Sequence, residues 1–270
     1  MGFRRSTVAG LALLTSITLA AAGCGVPIIS GRGSDKSPTP SPTPEKPARE
    51  VLTTSTKDTT TSTYKFTMTA GEGIAEGAAD PAAGNGRLDF AFVSPEDRLK
   101  ITLNILSVGG EAWLKVDLGR AASLPDAPKL PKQWMRLDKS KVEDADELDF
   151  GQGDPLEVAE VFEAITEVRK AGERLYDGTL DLSRATDAFM VDEDHVKALG
   201  TKSSAIPFSA TVDEKGRFAS LEIKVPAARD FEAATWKAAY SDYGATINFT
   251  KPRPGEVVPA TKEAYEIFNG

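Results

Sequence analysis

The sequence predicts an α+β domain built on one curved antiparallel β-sheet, and three observations carry that expectation. Apolar residues recur with a period of two in separate runs after Tyr64, short turn signals separate the runs, and one helix-like stretch after Asp154 interrupts them. Alternation gives each strand a wet face and an apolar face, the pattern of an antiparallel sheet that packs on one side.

The first element in chain order is a leader. Arg4 and Arg5 form a basic start, and Thr7 to Ala22 carry no charge, with Leu11, Leu13, Leu14, Ile17 and Leu19 supplying apolar content. That run is too short to span a bilayer and reads as an export signal over residues 1–23. Phe3 before the arginine pair and Ser6-Thr7 after it fit a twin-arginine signal poorly, and the export route stays open. The leader ends in Leu19-Ala20-Ala21-Ala22-Gly23-Cys24, and Cys24 is the single cysteine of 270 residues. This ending resembles a bacterial lipobox, which implies a diacylated Cys24 as the first mature residue and a membrane anchor on the extracytoplasmic face. Ala21 departs from it, since lipoboxes usually have Leu there. The other reading is an ordinary secretory signal cleaved after Ala20-Ala21-Ala22, with Cys24 incidental.

Residues 24–48 read as a tether. Ser37 to Pro44 spells S-P-T-P-S-P-T-P, and alternate prolines deny the backbone both helix and ladder. At ~3.1 Å per residue, some 24 residues reach roughly 75 Å from the membrane. Residues 49–270 are then the folded domain, long enough for one real core.

Composition narrows what such a domain does. The chain has 32 Lys and Arg against 40 Asp and Glu; without the leader's two arginines, 30 stand against 40, a charge of −10. An acidic chain is a poor match for nucleic acid. One cysteine leaves no intramolecular disulfide; a single histidine, with no Ser in a G-x-S-x-G setting, gives histidine-based triads little to work with, and zinc is equally unsupported. The expectation is therefore a non-enzymatic protein without metal or cofactor, read as a monomer. The acidic run Glu143 to Asp149 places Leu148 where a calcium loop needs its third oxygen ligand, so a solvated loop is expected. His195, in a charged segment, is expected at the surface.

The elements follow in order. Arg49, Glu50, Val51, Leu52 and Lys57 suggest a frayed helix before the threonine run. Tyr64, Phe66 and Met68 then alternate with polar residues, as do Leu88, Phe90 and Phe92, and Leu99, Ile101, Leu103 and Ile105. Ser94-Pro95-Glu96-Asp97 and Gly109-Gly110 supply turns, and Glu111–Asp117 and Trp134–Asp138 continue the meander around a proline-rich loop at Leu124–Pro131. Asp154-Pro155 opens a helix with Leu156, Val158, Val161, Phe162, Ile165 and Val168 on one face, ended by Gly172. Glu173–Leu182 reads as a strand and Ser183–Ser204 as a polar, partly helical segment. A hairpin follows, Phe208, Ala210 and Val212 leading through Asp213-Glu214-Lys215-Gly216 to Phe218, Leu221, Ile223 and Val225. Trp236–Phe249 is read as a last long strand with Tyr243, Ala245, Ile247 and Phe249 on one face, stopped by Pro252 and Pro254. Asn248-Phe249-Thr250 within it has the form of a glycosylation sequon and is given no role.

The order of a helix after Asp154-Pro155, Glu173-Arg174-Leu175-Tyr176-Asp177-Gly178-Thr179, the Lys215-Gly216 hairpin and Tyr240-Ser241-Asp242-Tyr243-Gly244 resembles the actinobacterial LppX/LprG-type lipoproteins and, more remotely, LolA-like carriers. The resemblance covers about residues 49–260. It implies a half-barrel, one curved sheet wrapped around helices, with an apolar cavity that holds an acylated lipid or lipoglycan for transfer across the envelope. The threonine-rich first helix and the loop at Leu124–Pro131 depart from it, so ligand identity does not carry over.

Periodicity itself nominates the lining residues Leu88, Phe90, Phe92, Leu99, Ile101, Leu103, Val158, Phe162, Ile165, Phe208, Leu221, Ile223 and Ile247. The same pattern describes a solid core, because a sheet facing helices needs it with or without a void. Two functions stay open from sequence: an anchored carrier of a lipid or other amphiphile, and a non-carrier sensor or scaffold that binds another envelope protein.

Overall fold

Alternation commits the chain to sheet, and among the described residues twelve strands join a single one. The computed structural model describes residues 46–269 apart from 95–98, 144, 152, 187, 189 and 190. The leader, Cys24, the tether before Lys46 and the turn at Pro95-Glu96-Asp97 lie outside the described residues.

The sheet consists of two antiparallel meanders. The first runs through β1 (Tyr64–Ala70), β2 (Gly73–Asp80), β3 (Asn85–Ser94), β4 (Leu99–Val108), β5 (Glu111–Asp117) and β6 (Trp134–Leu137). The second runs through β7 (Ile165–Lys170), β8 (Leu175–Leu180), β9 (Ile206–Val212), β10 (Phe218–Val225) and β11 (Ala234–Ser241). Pairing of β1 with β11, Phe66 opposite Tyr240, joins them, and β12 (Val257–Pro259) adds a parallel edge beside β6. The sheet is open and curved, with β7 and β12 at its edges, and among the described residues four short helices complete an α+β fold.

Side-chain parity sets the inner face. Phe66, Met68, Ala75, Leu88, Leu114, Met135, Leu180, Ala210, Leu221, Ile223 and Trp236 all point to one side and are buried. Helices α1 (Ala48–Ser55), α2 (Val158–Glu163) and α3 (Glu193–Leu199) close that side over β1, β2 and β7–β11, contributing Leu52, Val158, Val161, Phe162, Val196 and Leu199 to the larger apolar cluster. A smaller cluster of Ala112, Leu114, Val116, Met135 and Leu137 lies over β5 and β6 beneath Val142, Leu148 and Ala264. Ile105 packs against both clusters.

β2 was not legible from its residues, since Gly, Ala, Glu and Asp are poor strand formers. Its smallness is structural: a Cβ at Gly77 would stand 2.4 Å from the Phe66 ring, so the ring lies across a floor of Ala75, Gly77 and Ala79. Gly109 and Gly110, both at positive φ, make the tight β4–β5 turn.

Three expectations need correction. The helix after Asp154 ends at Glu163, and Ile165–Lys170, read as its continuation, is strand β7. β-Branched Ile165, Thr166 and Val168 favour extended backbone, and pairing with β8 secures it: Thr166 and Thr179 hydroxyls meet at 2.7 Å, and Arg169 forks onto Asp177 at 2.7 and 3.1 Å. The last long strand lies earlier than expected. β11 ends at Ser241, and Asp242 and Gly244, both at positive φ, turn the chain out of the sheet, so Tyr243, Ala245, Ile247 and Phe249 are not on a strand. The sequon-like Asn248 is likewise in irregular backbone. His195 is buried, 3 % exposed. Its ring stacks on Phe231 at 4.9 Å, and Nε2 lies 2.9 Å from the Pro226 carbonyl oxygen, to which its N–H donates, pinning α3 to the loop after β10.

The segment after β11 acts as a strap. Asn248, Phe249 and Thr250 line one cleft with Arg87, Leu106 and Lys115, which project from the outer face of β3–β5. Lys251 Nζ stands 5.7 Å from the centre of the Trp113 ring and pairs with Glu111. This cover explains why Leu106 and Trp113, apolar residues on the wet face, are only 5 % and 4 % exposed. The chain then rounds the sheet edge as β12, and α4 (Lys262–Asn269) returns on the inner face with Ala264, Tyr265 and Phe268 against the smaller cluster. The Tyr265 hydroxyl accepts from the Asp138 N–H at 2.9 Å, while Asn269 accepts from Glu143 N–H and donates to the Lys141 carbonyl.

Candidate functional site

The thirteen nominated residues separate into three places. Val158, Phe162, Ile165, Phe208, Leu221 and Ile223 are packed in the larger cluster, each 4 % exposed or less, with Leu88 at its margin. Phe90, Phe92, Leu99, Ile101 and Leu103 share the inner face of β3 and β4, where Phe90 stands opposite Leu103 and Phe92 opposite Ile101. Ile247 belongs to the strap and joins neither group.

The second group is the open one. Phe92 is 38 % exposed, and Leu99, Ile101 and Leu103 are only half-buried on a face that is buried along most of its described length. Phe90 leans on the larger cluster and Leu103 on the smaller, so Phe92, Leu99 and Ile101 form an apolar strip between the two. No family model matches this chain, and no curated protein matches it either. The strip follows from what covers the sheet: α1, α2 and α3 contribute to the larger cluster, α4 to the smaller, and neither cluster includes Phe92, Leu99 or Ile101. Sequence nominated all three of its residues but had no signal to separate them from the core.

A polar centre inside the larger cluster is the other chemical feature. Asp154 receives a hydrogen bond from the Tyr240 hydroxyl and 3.0 Å bonds from the Leu156 and Val158 N–H groups. Tyr64 stacks on Tyr240 at 5.1 Å, and the Tyr243 hydroxyl donates to the Phe218 carbonyl at 2.9 Å. Burial, with the nearby Asp154 charge second, pushes all three phenols well above their usual range, so they stay protonated at neutral pH. Burial also raises the Asp154 carboxyl, against the opposing pull of its donors. The sequence assigned Asp154 to a helix cap; here it fastens the segment before α2 to β11.

Among the described residues, no group of three or more His, Cys, Asp and Glu side chains is placed to hold a metal ion. No described helix is long and apolar enough to cross a membrane.

Proposed function

We propose that this chain is an envelope lipoprotein, anchored through Cys24, that binds the acyl part of a lipid or other amphiphile on the open strip of β3 and β4 and hands it on across the envelope without catalysing a reaction. The half-exposed run of Phe92, Leu99 and Ile101 carries the reading. Fully burying one such side chain is worth about 1.5–3 kcal/mol, a driving force that an acyl chain collects and water does not. An LppX- or LolA-like half-barrel, acting as a monomer, is the arrangement that fits this use of a curved sheet. Mass spectrometry of lipids extracted with the purified Cys24→Ser protein tests it. Wild-type sequence at the strip should bring down an acylated lipid or lipoglycan, and Phe92→Asp should come away empty; an empty parent protein overturns the proposal. The same Cys24→Ser change should release the protein from membranes, and retention there would make the leader an uncleaved anchor.

The close packing of Val158, Phe162, Ile165 and Ile223 favours a second reading, a non-carrier module that docks another envelope protein on the strip. Its signature is an empty domain that captures one stoichiometric partner and loses it on Phe92→Asp.

A further inference from the structure

The outer face of the first meander carries a row of side chains that neither apolar cluster uses. Asp89 stands opposite Asn104, and Asn104 opposite Lys115; Trp134 continues the row on β6, next to Met135, which faces Leu114. With strands ~4.8 Å apart, the row crosses roughly 14 Å of sheet. Arg87 and the strap's Asn248, Phe249 and Thr250 complete the walls of a cleft of ≈ 400 Å³. Arg87 pairs with Asp89, and Asn104 Nδ2 donates to Asp89 Oδ1 at 2.5 Å, so the planar polar groups hold one another in place.

We propose that this cleft binds a short saccharide chain. A sugar ring has an apolar C–H face and a rim of hydroxyls that donate and accept at once. Half-buried Trp134 and Phe249 offer ring faces for the first, and Asn104, Asp89, Arg87 and Lys115 offer mixed donors and acceptors for the second. A linear row across four strands suits a chain of units better than one compact ligand. Lys115 has no ion-pair partner among the described residues and is placed to prefer an acidic sugar. A second cleft, of ≈ 590 Å³ around β7–β10, supplies the contrast. Its one aromatic residue, Phe208, is buried in the core, so it presents no ring face to a sugar. The row lies on the face opposite the β3–β4 strip, so this inference stands apart from the acyl-ligand reading.

NMR titration of the isotopically labelled Cys24→Ser protein with arabinose, mannose, galactose and glucuronate oligosaccharides tests the proposal. The Trp134 indole N–H and the Asn104 side-chain amide should shift saturably. Trp134→Ala and Asn104→Ala should each weaken binding about tenfold. Lys115→Ala should weaken glucuronate binding alone, and Arg169→Ala in the second cleft should leave saccharide binding unchanged. Because Trp134 also belongs to β6, the Asn104 variant is read only with an unchanged melting curve and carries the result if the Trp134 variant fails to fold. Absence of saturable shifts at millimolar saccharide overturns the proposal. So does saturable binding of an acidic peptide at these residues without any response to sugar.

Discussion

The part of the sheet formed by β1, β2 and β7–β11 and the part formed by β3–β6 share one hydrogen-bonded surface but are closed in different ways. Over the first, α1, α2 and α3 converge, and aromatic rings interlock: Phe162 meets Phe218 at 5.5 Å and 80°, and Phe218 meets Tyr240 at 4.9 Å and 79°. Over the second, the cover is a short helix, α4, and the turns between Asp138 and Leu148, held partly by side-chain to backbone bonds. The first cover leaves a sealed core; the second leaves Phe92, Leu99 and Ile101 half in water. Strand alternation is the same in both. What differs is the volume of chain supplied to the inner face, and that decides whether an apolar row becomes core or surface.

The largest test of this contrast is a pair of truncations. Phe162→Ala should cost about 3–5 kcal/mol in urea unfolding, the range for emptying a packed aromatic site. Phe92→Ser, at a side chain already 38 % exposed, should cost less, about 1–2 kcal/mol. Equal losses would mean that β3–β4 is sealed in solution.

A smaller effect separates the covers themselves. Tyr265→Phe removes the acceptor of the Asp138 N–H and should cost about 1 kcal/mol or less. Hydrogen exchange should quicken in β6, β12 and α4 while amides of β9 and β10 keep their protection. Uniform quickening would show that the two parts unfold as one unit.

The smallest change at any single pH belongs to Asp154. Its carboxyl is raised by burial, so the folded chain takes up that proton before the unfolded chain does. The contribution is present below the ordinary carboxylate range and is lost as pH rises through the raised folded value. Glu111, Asp138 and Asp177, all in contact with solvent and lowered by hydrogen bonds from Lys251, Ser140 and Arg169, pull the other way. They do so equally in parent and variant. Asp154→Asn should therefore remove the stabilising part of the slope and leave the rest. Urea midpoints measured from neutral to mildly acidic pH check this, and parallel curves for the two proteins would place Asp154 in water.

Much of this arrangement was legible before the structure. Strict alternation at Tyr64–Met68, Leu88–Phe92 and Leu99–Ile105, and the hairpin turn at Asp213–Gly216, placed β1, β3, β4, β9 and β10, because each strand has one wet face. β2 hid because its fitness lies in what it lacks, room being left for the Phe66 ring. β7 hid because Ile165 and Val168 satisfy helical spacing as well as extended backbone, and only the partner strand decides. At the candidate strip, residues were found and exposure was not. Phe92 and Ile223 have the same local pattern; one ends at the surface and the other in the core because helices arrive over β10 and not over the end of β3.

The strap and α4 also impose an order on synthesis. The β1–β2 and β4–β5 hairpins join neighbours across two-residue turns and are able to close as they emerge, as local contacts do. β6 has to wait for β12, which is made only after the whole second meander. During that interval Trp113, Leu114 and Met135 lack their cover on either face, and exposed strand edges of this kind invite association with other chains. Residues 242–269 therefore act as the latch that covers both faces of β5 and β6 and closes the fold last.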